Sequence, residues 1–81
     1  MMLHKLKIDE PYLKAKLEGN KLFEIRLNDR GYQKGDKVYY KESDFGKMKE
    51  HWFEITYVTN YLQKENHVVF GEKFIETKSF G

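Results

Sequence analysis

Cysteine is absent from the 81 residues, so neither a disulfide nor a thiolate metal site can help this chain fold. That absence suits a reducing compartment, and the cytoplasm is the expected location. Long apolar runs are missing too. Nothing approaches the roughly 20 consecutive apolar residues of a membrane-spanning helix. Met1-Met2-Leu3-His4-Lys5 does not lead into the apolar run of a secretory signal, because charges interrupt it. A large excess of one charge is lacking as well. Fifteen Lys and Arg stand against 13 Asp and Glu, a formal net charge of +2. An anionic partner would therefore be captured by locally placed cations and not by a global field. The three histidines, His4, His51 and His67, have no pair at ligand spacing, so no metal and no cofactor is expected.

Aromatic residues, by contrast, are abundant: six Tyr, six Phe and one Trp in a chain long enough for a single domain over 1–81. Most of them must form the core. Leu6 and Ile8 alternate with Lys5 and Lys7, a half-buried strand over Leu3 to Ile8. Asp9 then offers an N-cap and Pro11 suits a first helical turn. Leu13 and Leu17, flanked by Tyr12 and Ala15, form the apolar side of a short helix that Gly19 stops. A strand follows from about Lys21 to Leu27, then a turn-rich loop over 28–36, and a strand from Lys37 to Lys41. Glu42 to Lys49 is polar and reads as a connection. A β-prone segment runs from about Glu50 to Leu62, with Phe53, Ile55 and Tyr57 on one face. Val68 to Ile75 is a last strand with a bend or bulge at Gly71, and 76–81 is a polar tail expected to fray. The order is β-α-β-β-β-β. The expected class is α+β, mostly β, with the sheet curled into a small mixed or antiparallel barrel and the helix covering one end.

The sharpest pattern lies at Gly19-Asn20-Lys21-Leu22-Phe23-Glu24-Ile25-Arg26-Leu27-Asn28-Asp29-Arg30. Phe23, Ile25 and Leu27 alternate with Glu24 and Arg26, so the two sets occupy opposite faces of one strand. Glu24 and Arg26 could be a surface ion pair, worth about 0–1 kcal/mol. They could equally lie in a cleft, where Arg26 offers a planar fork to phosphate and Glu24 accepts from an exocyclic amine or orients the Arg. Lys21 is either a solvated residue after a turn or a holder of phosphate or carbonyl oxygen. Asn28, Asp29 and Arg30 read as turn chemistry, although a turn does not require Arg30. Tyr32, Tyr39, Tyr40 and Trp52 are candidate platforms for stacking a base. His4 and Lys7 would border the site if the first strand neighboured this one.

Gly19-x-Lys21-x-x-Glu24-x-Arg26 closely resembles the G-x-K-x-x-E-x-R signature of ASCH domains in the PUA-like superfamily. The resemblance extends to a subgroup of small bacterial and phage proteins through His4-Lys5-Leu6-Lys7, Tyr12, Tyr32, Gly35-Asp36, Tyr57-Val58-Thr59 and Val68-Val69. It implies a PUA-like fold and a cytoplasmic module off the membrane that binds RNA or a modified nucleotide through Lys7, Lys21, Glu24, Arg26, Asp29, Arg30 and Tyr32, and it leaves the oligomeric state open, a monomer included. A relative in this superfamily hydrolyses acetylated cytidine with a Lys, a Thr and a Glu. The Lys falls on Lys21, but the Thr falls on Glu24, and the resemblance does not fix the Glu, for which Glu72 is a candidate. A carboxylate does not replace a hydroxyl, so that activity does not carry over directly. An amidohydrolase on an acylated nucleoside, with Lys21 and Glu24 catalytic, is the second reading. A protein-interaction domain of phage or mobile-element origin is the third.

Overall fold

The computed structural model describes residues 1–80. Five strands and one helix follow the expected order: β1 (Leu3–Leu6), α1 (Glu10–Leu17), β2 (Phe23–Leu27), β3 (Lys37–Asp44), β4 (Lys47–Thr59) and β5 (His67–Phe80). They form one mixed sheet in the spatial order β1-β3-β4-β5-β2, with β1 parallel to β3 and the other pairs antiparallel. The protein is therefore mostly β with one short helix, and the sheet curls into a half-barrel. The curl brings the two edge strands, β1 and β2, towards each other without pairing them. The barrel expected from the sequence stays open along this seam.

Residues facing the inside of the curl make the core: Leu6, Leu13, Tyr32, Val38, Tyr40, Phe53, Ile55, Val68 and Phe70 are all buried. The start of β1 is fixed by Asp36. Its carboxylate accepts from the Met2 amide (3.0 Å), the Gln33 amide (3.1 Å) and His4 Nε2 (2.9 Å). Burial raises the Asp36 pKa, but these three donors outweigh it and hold the group below its ordinary value. α1 ends as its sequence requires. Gly19 takes φ +80°, its amide donates to the Lys16 carbonyl, and the Asn20 amide donates to the Ala15 carbonyl. These two bonds are a Schellman termination, and glycine enters the left-handed region at little cost. Asp9 occupies the N-cap position but makes no side-chain capping bond.

Four expectations need correction. The polar stretch 42–49 is a hairpin and not a connection: β3 continues to Asp44, β4 starts at Lys47, and Phe45 and Gly46 (φ 48° and 77°) form the two-residue turn. Positive φ at both positions matches the twist of the flanking strands. Its polar residues suit a strand because residues of opposite charge stand across from each other in the register, Lys41 from Glu50, Glu42 from Lys49 and Asp44 from Lys47, without closing into ion pairs among the described residues. Tyr57 does not share a face with Phe53 and Ile55. The register with β5 skips Thr56, which bulges, so Tyr57 turns outward and Val58 packs on the core. Residues 76–80, expected to fray, remain paired with β4 to the end of β5, with Phe80 opposite Met48. Finally, α1 presents Leu13 and Lys16 to the interior, while Leu17 and Tyr12 are exposed.

Gly71 sits opposite the Thr56 bulge, where an added Cβ would lie 2.9 Å from Thr56 Oγ1. Thr56 is β-branched and gives way poorly. Gly71→Ala should therefore destabilise the protein by about 1–3 kcal/mol in urea unfolding. Adding Thr56→Ala should recover a large part of that loss; an additive double variant would show that the two sites do not touch.

Candidate functional site

β2 places its charged face inward. Glu24 and Arg26 stand opposite Phe70 and Val68 of β5, both core residues, so all four share the interior face. Phe23, Ile25 and Leu27 point outward and are about half exposed. The interior of the curl is polar at this corner because α1 delivers a lysine to it.

Lys16 has a fully buried side chain. Its ammonium donates to Glu72 Oε2 (2.8 Å) and lies 3.0 Å from Glu24 Oε2. The Phe23 carbonyl (3.3 Å) is a third acceptor, and the rings of Tyr40 and Phe53 lie 5.3 and 5.6 Å away. The Tyr40 hydroxyl donates to Glu72 Oε1. Glu24 is shared further. Lys21 Nζ donates to its Oε2 (2.6 Å) and to the Phe23 carbonyl (2.9 Å), and Arg26 Nε donates to its Oε1 (3.0 Å). Among the described residues no buried side-chain polar atom lacks a partner, which is the condition for such a network to stabilise a core.

The two carboxylates are driven apart. Burial pushes both upward. At Glu24 the hydrogen bond from Lys21 and the charge of Lys16 overcome burial, and its pKa falls below the ordinary value. At Glu72 burial wins over Lys16 and Tyr40, and the pKa rises. Burial, with Glu72 and Glu24 beside it, also raises the Tyr40 hydroxyl. Glu24, at the mouth, is thus held as an anion, and the deeper Glu72 takes up a proton more readily.

The mouth itself is the seam between β1 and β2. A cavity of about 830 Å³ opens there, lined on the β1 side by Lys5, Lys7 and Ile8 and on the β2 side by Phe23, Glu24, Ile25 and Arg26, with Tyr12, Lys21 and Lys41 around it. Lys21 Nζ sits 4.8 Å from the centre of the Phe23 ring and 5.7 Å from that of Tyr12. Both rings are exposed. Lys5, Lys7 and Lys41 are exposed and form no ion pair among the described residues. Arg26 crosses the seam, its Nη2 donating to the Lys7 carbonyl at 2.7 Å. Beyond Arg26 lies a second cavity of about 560 Å³, bounded by Lys5, Lys7, Arg26, Leu27, Asp29, Arg30 and Tyr32.

The structure therefore brings Lys21, Glu24 and Arg26 together and sets Lys7 across from them. Asp29 and Arg30 stand apart, exposed and 4.0 Å from each other. Asn28 does serve its turn, its Oδ1 accepting from the Tyr32 amide (3.2 Å). Tyr32 is buried, its ring packed 4.8 Å from both His4 and Phe70, so it offers an edge to the second cavity and not a free face. Tyr40 is core. Tyr39 stacks on Trp52 at 4.5 Å, and Lys78 covers the Trp52 ring at 4.4 Å. The stacking platforms expected there are occupied. Those the sequence reasoning passed over, Tyr12 and Phe23, are open. Lys16 was also passed over, because a helical lysine ordinarily reads as solvated. A signal for Glu72 does exist: Val68, Phe70 and Glu72 alternate onto one face, and the first two are apolar. No helix is long and apolar enough to cross a membrane, and no group of three or more His, Asp or Glu suited to a metal ion occurs among the described residues.

Residues 3–72 match the family described as Domain of unknown function (DUF3850). That span runs from the first residue of β1 to the buried Glu72. No curated protein matches the chain.

Lys16→Met should cost about 3–5 kcal/mol in urea unfolding at neutral pH, because it leaves the buried Glu72 carboxylate without a cation while Glu24 keeps Lys21 and Arg26. The loss should shrink as pH falls and Glu72 takes up a proton. Glu72 supplies a second pH test. Its folded pKa is raised, so its stabilising contribution is complete below the ordinary value of 4.5 and is lost as pH rises through the folded pKa. The stability of wild type relative to Glu72→Gln should therefore grow as pH is lowered from about 7 towards that value. A constant difference would show that Glu72 is not perturbed.

Proposed function

The chain belongs to the DUF3850 family, and we propose that its β1–β2 cleft binds RNA or a nucleotide, with the base on Tyr12 and Phe23 and the phosphate on the lysines of the rim. One observation carries this reading. Two exposed aromatic rings and three unpaired lysines meet at a concave seam that no strand fills. Every base has a π-face, and an aromatic platform gives about 1–3 kcal/mol per stacked base. Lysine ammoniums capture phosphate as point charges. Lys21 and Arg26 contribute less free charge than the sequence suggested, because Glu24 already neutralises them in part. Their role is to shape the floor and to donate hydrogen bonds, while Lys5, Lys7 and Lys41 supply the uncompensated charge.

The G-x-K-x-x-E-x-R motif and a curled, mostly-β sheet with one helix support reading the fold as PUA-like and of the ASCH type. The absence of cysteine supports a cytoplasmic setting. Binding is favoured over hydrolysis by the state of Lys21. Its ammonium already donates to Glu24 and to the Phe23 carbonyl, an arrangement suited to a fixed donor more than to a base. Binding of small ligands is favoured over a protein-docking face because the charged set lines a concavity.

Calorimetric titration with UMP and with a uridine hexanucleotide tests the reading. Affinity should weaken as salt rises. Tyr12→Ala should reduce it by about 5-fold or more, the equivalent of one lost stacking contact. Lys7→Ala with Lys41→Ala should reduce both the affinity and its salt dependence. Failure of both ligands to bind at low salt would overturn the proposal.

A further inference from the structure

Two cavities adjoin along the β1–β2 seam, and Arg26, whose side chain reaches across the seam to the Lys7 carbonyl, lines both. They share Lys5, Leu6, Lys7 and Arg26 as walls. Tyr12, Lys21 and Phe23 lie at one end, and Asp29, Arg30 and Tyr32 at the other. The group that spans the seam at the junction is the Arg26 side chain. Arg26 Nε donates to Glu24 Oε1 at 3.0 Å, and its Nη2 lies 2.9 Å from the same oxygen while donating to the neutral Lys7 carbonyl at 2.7 Å.

We infer that Arg26 is a latch across a single continuous groove, and that the groove takes a single-stranded oligonucleotide in preference to a mononucleotide. The inference rests on the proposed nucleotide reading of the first cavity and extends it to the second. Its chemistry follows from the acceptors. A guanidinium gains more from an anionic phosphate, which it meets with two parallel N–H donors, than from a lone amide carbonyl. Glu24, itself fixed by Lys16 and Lys21, anchors the guanidinium through Nε and Nη2, so exchange of the Lys7 carbonyl for a phosphate turns Arg26 about its aliphatic torsions and loosens its hold on Glu24. That exchange opens the junction. The first nucleotide then stacks at Tyr12 and Phe23, Arg26 clamps the phosphate that follows, and Arg30 meets the next phosphate in the second cavity. Arg30 suits this task because, among the described residues, its only ionic contact is the 4.0 Å approach to Asp29. Lys5 and Lys7 flank the whole path. The volumes also favour this ligand, since each cavity alone is within the usual range of about 300–1,000 Å³ for one small ligand.

The test is a length series. Uridine ligands of one, two, four and six nucleotides are titrated at constant low salt against wild type, Arg26→Ala and Arg30→Ala. In wild type, affinity should rise by about 10-fold or more from one nucleotide to four and then level off, as stacking and phosphate contacts accumulate. The ratio of tetranucleotide to mononucleotide affinity should collapse in Arg26→Ala and fall in Arg30→Ala. Circular dichroism confirms that Arg26→Ala is folded. If it is not, Arg30→Ala still decides the question, because an exposed loop arginine with one distant partner is not needed for folding. Equal affinity at all lengths in wild type would overturn the latch and leave the nucleotide reading of the first cavity intact. A length ratio unchanged in Arg30→Ala, or in a folded Arg26→Ala, would overturn the continuous groove. Absence of binding at every length would overturn both.

Discussion

One buried ammonium organises this molecule. Lys16 leaves α1 with no solvent contact and ends between Glu24 of β2 and Glu72 of β5. Removing a lysine and two carboxylates from water carries a large desolvation cost, which short contacts and complete hydrogen bonding must offset. The contacts are short, and Tyr40 completes the inner side. The arrangement ties α1 to the last two strands in the sheet order. It also explains why β2 turns its charged residues inward: Glu24 is the partner the lysine needs.

The candidate site is a consequence of the same constraint. Glu24 has two oxygens, one given to Lys16 and Lys21 and the other to Arg26. It thereby fixes two cations at the seam. Lys21 is held beside the Phe23 and Tyr12 rings, and Arg26 is aimed across to Lys7. The seam is open because the sheet has five strands in the order β1-β3-β4-β5-β2, which leaves β1 and β2 as edges facing each other. Unpaired edges are ordinarily a liability. Here exposed lysines line one side and Arg26 spans the gap, so the opening is charged and guarded.

Much of this was legible in the sequence, for identifiable reasons. The element order followed from alternation, from Pro11 and from Gly19, whose terminating geometry is local. The Lys21, Glu24 and Arg26 constellation followed from spacing on one strand. The misplacements share another cause, since each depended on a partner across a turn or distant in the chain. Lys16 became a core residue only because Glu24 and Glu72 converge on it. Residues 42–49 became a hairpin because opposite charges face each other across it. Tyr57 changed faces because Thr56 bulges against Gly71. The free aromatic rings could not be told from the buried ones, because any Tyr or Phe in a chain this small serves equally well as core.

The seam between β1 and β2 is the proposed ligand site. A proton–nitrogen NMR titration with uridine oligonucleotide tests this most directly, residue by residue. Amide shifts should concentrate at residues 5–9, at Tyr12, at 21–26, at Arg30 and at Lys41, with little change along the outer face around Tyr39 and Trp52. Shifts confined to that outer face, or none at saturating ligand, would contradict it.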